Sequence, residues 1–136
     1  MSNWAQSLIR ISSYEVETLQ KRLAEITARK ADAEWKLVAL DAEAEGERER
    51  ARVDAEAGRM LAAYLNGWKQ KRAAAGGVVT EIKAEEAGAR DALTGAFEEL
   101  KKFEHVAEAT RLNALTAAAK RETAQFDEMG LRRRSA

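Results

Sequence analysis

The chain has 136 residues, with 23 Lys and Arg against 23 Asp and Glu, so its formal net charge is zero. Balanced, interleaved charge removes the long-range field that would draw a whole domain to nucleic acid or anionic lipid. Three Trp, two Tyr and three Phe are too few for a thick globular core, and the lack of cysteine excludes disulfides and cysteine metal sites.

Ala, Glu, Arg, Lys and Leu dominate, and proline is absent. Such a composition with a helical repeat belongs to the long-helix class. The opening residues Met1 to Ser7 carry no basic region and no long apolar run, and no stretch approaches the roughly 20 apolar residues of a membrane span. The expectation is a cytoplasmic protein with no direct membrane insertion.

The first helix is expected from about residue 3 to 55. Its apolar residues are spaced three and four apart through Ile9, Val16, Leu19, Leu23, Ile26, Ala33, Leu37, Leu40 and Ala44, which is the seam of a coiled coil. Glu17 with Lys21, Glu25 with Arg29 and Asp32 with Lys36 stand four apart with the acid first, each pair worth a few tenths of a kcal/mol. From Glu43 to Arg59 the seam fades into alternating charge. The run Glu45 to Arg52 reads as a solvated, self-paired helix face rather than an acid–base site. Lys30 falls on the seam, where a lone lysine sets register or oligomer state.

A turn is expected over residues 56–59. A second periodic run then passes through Leu61, Leu65, Trp68, Val79, Ile82, Leu93, Phe97, Leu100, Phe103, Val106, Leu112, Leu115, Phe126 and Met129, giving a helix over about 60–129. A reversal near residue 57 pairs residues whose numbers sum to about 115, so the strong seam of residues 9–40 faces the apolar residues of 75–106. A reversal at Gly76-Gly77 would set Leu93, Leu100 and Phe103 against the polar stretch 50–60, so that pair is expected to be a flexible or kinked point within the second helix. Gly130 has the character of a left-handed helix cap with Leu131 packing back on Phe126, leaving residues 130–136 as a frayed tail. The predicted fold is all-α: a single antiparallel coiled-coil hairpin of two long helices, the second longer than the first. At 1.5 Å per residue the arms would be about 80 and 100 Å long.

This pairing leaves two apolar groups short of internal partners. Leu61, Tyr64, Leu65 and Trp68 face the polar residues 47–54, and an uncovered cluster of that kind suggests a binding site. Leu112, Leu115, Phe126 and Met129 lie beyond the start of the first helix, with only Trp4 and Leu8 near enough to cover them. A projecting amphipathic helix suits a groove or a pore. Local packing, or dimerisation of two copies, is the alternative at each place.

Chemistry is expected to be absent. His105 with Glu108 makes too poor a set for a metal, and no phosphate loop, dinucleotide turn or nucleophile motif occurs. The chain is read as a non-enzyme with no catalytic, cofactor or metal residue.

The opening Leu8-Ile9-Arg10, then Tyr14-Glu15-Val16-Glu17-Thr18-Leu19-Gln20-Lys21-Arg22-Leu23-Ala24-Glu25-Ile26, the charged middle, and the close Arg121-Glu122, Phe126-Asp127-Glu128 with trailing arginines resemble the FliJ family of small flagellar export proteins. Ala124, where a lysine would be expected, and Gly76-Gly77 depart from the family pattern. The resemblance implies a stalk like the central subunit of rotary ATPases, inserted into the hexameric flagellar export ATPase. It also implies a link to the membrane export-gate protein and handling of unloaded export chaperones. Carried to this sequence, it places Leu8, Ile9, Leu115, Phe126, Met129, Arg132, Arg133 and Arg134 against the ATPase ring, and Leu61, Tyr64, Leu65 and Trp68 against the gate or a chaperone. The free protein would be monomeric and would sit at the cytoplasmic face of the inner membrane through the export apparatus. Competing readings are the equivalent stalk of a virulence-type injectisome, a homodimeric structural spacer, and a nucleic-acid binder using the arginine tail, for which three arginines give thin support.

Overall fold

The computed structural model describes residues 3–135. Two helices, α1 (Asn3–Val53) and α2 (Ala55–Ser135), account for all of these residues but Asp54, with 51 and 81 residues respectively. They pack antiparallel as a coiled-coil hairpin, with α2 the longer. Heptad spacing explains the pairing: a row of apolar side chains every three and four residues stays on one helix face and must be covered by a similar row.

Side chains facing across the seam show the register. Lys30 meets Glu86, Arg29 meets Glu85 and Arg72 meets Asp41, so partner numbers sum close to 115. Arg29, four residues after Glu25, thus uses its charge between helices.

The chain divides into two compact units, one comprising Thr18–Leu93 and the other the chain up to Glu17 together with the chain from Thr94 onward. In the first unit Ile26, Ala33, Val79, Ile82 and Ala89 form the core, with Leu23 and Leu37 packed against it. In the second, Ala5, Val16 and Ala96 are buried, and Leu8, Ile9, Leu100 and Phe103 are half-buried beside them in the sequence.

The chain reverses at Asp54, ahead of the stretch 56–59. The Asp54 amide donates to the Arg50 carbonyl at 3.0 Å, and the Asp54 carbonyl accepts from the Gly58 amide at 3.0 Å. The first bond completes the last turn of α1; the second begins α2. The Asp54 carboxylate also accepts from the Glu56 amide at 3.0 Å, which makes it the N-cap of α2. Gly58 suits the position one turn on because a β-carbon there would lie a tight 3.3 Å from the Ala51 carbonyl oxygen.

One expectation about glycine is corrected, the cap at Gly130. Gly76 and Gly77 lie within an unbroken α2, and α2 continues through Gly130 to Ser135 with no glycine at positive φ among the described residues. No Schellman closure forms at Gly130, because the helix has no cause to stop there: the arginines after it suit the negative end of the helix dipole.

Candidate interaction surfaces

The cluster nearest the reversal is held by α1 more firmly than its composition alone suggests. Leu61, Tyr64, Leu65 and Trp68 are all half-buried. The Trp68 indole N–H donates to the Leu40 carbonyl at 2.6 Å, and the Arg48 guanidinium lies 5.9 Å from the centre of the same ring, within cation–π range. One turn further along α2, Arg72 grips Asp41 with two bonds, Nε at 2.7 Å and a terminal nitrogen at 3.2 Å. This bidentate contact holds the Asp41 carboxyl below its ordinary pKa.

Tyr64 is the odd member. Its hydroxyl oxygen is sealed from solvent with no hydrogen-bond partner among the described residues. Burial pushes the phenol above its ordinary pKa, and the carboxylates of Glu43 and Glu47 push it the same way. An orphaned hydroxyl is costly unless something satisfies it.

The charged run beyond this cluster pairs with itself, as expected. Arg48 meets Glu45 at 3.4 Å, Arg50 meets Glu47 at 3.3 Å and Arg52 meets Glu49 at 3.1 Å. Such exposed pairs contribute little individually.

In the other unit, Ile9 and Leu115 come together. They line a groove of about 530 Å³ with Ala5, Ala107 and Ala114, edged by Glu104, Glu108 and Arg111. Small side chains on both helices leave it open. Leu8 is half-buried outside it. Every residue from Glu108 to Ser135, those of the groove included, is exposed, among them Leu112, Phe126 and Met129. Phe126, Met129, Gly130 and Arg133 border a shallow recess of about 230 Å³ on this arm. Arg132 pairs with Glu128 at 3.3 Å, and Arg134 is exposed.

His105 is exposed, and the Glu108 carboxylate that could have joined it is held by Arg111 at 2.7 and 3.1 Å. Among the described residues no group of three or more His, Cys, Asp or Glu is placed to hold a metal, and no helix is long and apolar enough to cross a membrane.

Lys30 gains a partner that the apolar pattern passed over. Its ammonium lies 2.9 Å from Glu86 Oε1, while the Thr27 hydroxyl donates to Glu86 Oε2 at 3.1 Å. Glu86 is buried, and the Lys30 bond holds its carboxyl below the ordinary glutamate range. The signal was present: Glu86 interrupts the row Val79, Ile82, Ala89 at the position facing Lys30.

The family model for the flagellar FliJ protein matches residues 5–135 of this chain. Two relatives, both described as flagellar FliJ protein and both from strains of Caulobacter vibrioides, are 52% identical to it over 133 residues, covering 98% of this chain and 96% of theirs. No solved structure matches it. With a family model spanning nearly all of the described chain and relatives sharing half its residues, the chain belongs to the flagellar FliJ protein family.

Proposed function

We propose that this chain is a non-enzymatic component of the flagellar type III protein export apparatus, acting as a central stalk of its hexameric ATPase. In this reading the arm of α2, with Leu115, Phe126, Met129 and Arg132 to Arg134, enters the ring together with Leu8 and Ile9 from the start of α1. The other contact, to the membrane export gate or an export chaperone, is made by Leu61, Tyr64, Leu65 and Trp68. The ring-bound stalk promotes assembly and activity of the ATPase, at the cytoplasmic face of the inner membrane.

The observation that carries the reading is the arm. Its residues are exposed from Glu108 onward, yet it keeps a helical row of large apolar side chains: Leu112, Leu115, Phe126 and Met129. That row does not prolong the seam. Leu100, Phe103 and Ala107 would continue on the same face to Thr110 and Ala114; Leu115, next to Ala114, still lines the groove with Ile9, whereas Leu112, Phe126 and Met129 lie off it. An exposed apolar row that runs on past the groove shared with α1 supports insertion into a separate partner.

The test adds the purified chain to the cognate export ATPase and measures hexamer formation and ATP hydrolysis. Both should rise, and no change in either would overturn the proposal. Truncation after Ala118 should abolish the stimulation while the hairpin stays helical by circular dichroism.

A further inference from the structure

Helix α1 carries a second heptad seam on the face turned away from α2. Ala24, Ala28, Ala31, Trp35, Val38 and Ala42 follow one another at intervals of four, three, four, three and four, and every one is exposed. Trp35 is 69% and Val38 54% accessible. At 100° per residue this row lies roughly 150° around the helix from the buried row of Leu23, Ile26, Ala33 and Leu37. Lys21 and Glu45 occupy the next positions of the repeat and end it, leaving about 28 Å of continuous apolar face. A single exposed Trp would need no explanation; six small or apolar residues in strict heptad order are a surface that a helix can cover.

The flanks decide what kind of helix. The positions bordering this seam are Glu25, Asp32 and Ala39 on one side and Thr27, Glu34 and Asp41 on the other. Four are carboxylates and none is basic; Asp41 is already paired with Arg72, so Glu25, Asp32 and Glu34 set the charge of the flanks. A second copy docking through the same face would set carboxylates against carboxylates, and an anionic membrane or a nucleic acid would be repelled likewise. We propose that residues 24–42 form a docking site for an amphipathic helix of a partner protein, one whose apolar row is flanked by Lys or Arg. The three alanines let that helix approach closely in the first half of the seam, and Trp35 fills a hole between its side chains in the second. The apolar row itself includes none of Leu61, Tyr64, Leu65 and Trp68, although Leu40 and Asp41 beside it bond Trp68 and Arg72.

The probes are two fluorescein-labelled 21-residue peptides of three heptads with identical Ile and Leu rows, one flanked by Lys and the other by Glu, titrated with the full chain by anisotropy. The Lys-flanked peptide should bind saturably and weaken as salt rises, and the Glu-flanked peptide should bind at least tenfold more weakly. W35A/V38A, altering only exposed side chains, should reduce binding of the Lys-flanked peptide at least tenfold while ATPase stimulation is retained. The triple variant E25K/D32K/E34K should reverse the preference between the peptides. Absent binding, equal binding of both peptides, indifference to W35A/V38A, or an unreversed preference would each overturn the proposal. Loss of ATPase stimulation in W35A/V38A would show that this face belongs to the ring contact instead, and would also overturn it.

Discussion

Lys30 Nζ lies 2.9 Å from Glu86 Oε1 on the opposite helix, at the one level of the strong seam where neither helix offers an apolar side chain. Thr27 adds a second bond to the same carboxylate and Arg90 stands 3.9 Å away. A buried ion pair is weak support for stability but strongly penalises the loss of one partner. Lys30→Leu should therefore lower the melting temperature by several degrees, and Glu86→Leu should do so less. The double variant should recover most of the loss of Lys30→Leu. Calorimetry of the three variants checks this, and a double variant as unstable as the two single losses combined would refute it.

The same carboxylate makes stability depend on pH. Glu86 and Asp41 both have folded pKa values below their ordinary ones, because Lys30 and Arg72 hold the charged forms. A group depressed in this way stabilises the fold above its unfolded pKa, and that contribution is lost as pH falls through the folded value. Unfolding free energy should thus be nearly flat from neutrality to about pH 5 and then fall. Glu86→Gln should be less stable at neutral pH and show a shallower acid loss. Urea titrations between pH 3 and pH 7, chosen as about two units either side of pH 5, give the comparison.

Trp68 offers a measure of how firmly the cluster near the reversal is tied to α1. Trp68→Phe keeps a ring but removes the indole donor to Leu40, and should cost about 1 kcal/mol. Ile26→Ala, which opens a hole in the core at a side chain only 2% exposed, should cost about 3 kcal/mol. Trp35→Ala should stay within about 0.5 kcal/mol of the parent. Chemical denaturation of the three variants tests that ranking.

The glycines divide by what surrounds them. A β-carbon at Gly77 or Gly130 would meet nothing within 4 Å, and both lie inside α2. Gly77→Ala should stabilise by about 0.5 to 1 kcal/mol, and Gly130→Ala should raise helicity near the end of α2. Gly58→Ala places its methyl against the Ala51 carbonyl and should bring no such gain. A loss of helicity in Gly130→Ala would restore the left-handed cap that its sequence context suggests.

The seams of both helices were legible because the heptad rows are long and free of proline, and their mutual register followed from matching apolar stretch to apolar stretch. The reversal lies at Asp54, just ahead of the stretch 56–59 in which a turn was expected. Asp54 turns the chain, and Gly58 one turn on lets it pass the Ala51 carbonyl. Glu86 was missed because a search for apolar positions skips a carboxylate, although Lys30 on the facing seam demanded a counter-charge. The outward row around Trp35 was hidden for a related reason: once Ala33 and Leu37 had defined the face of α1, residues one or two positions away read as ordinary surface.

Asp54 is the whole connector between the helices, closing one and opening the next. A hairpin joined this way has no loop in which an inserted or deleted residue can be absorbed. One extra residue anywhere between Lys30 and Glu86 would rotate a helix face by about 100° and part the pair. Tolerated changes in length between these positions should come as whole heptads, matched in α1 and α2, and natural length variation among relatives should gather instead in the unpaired arm.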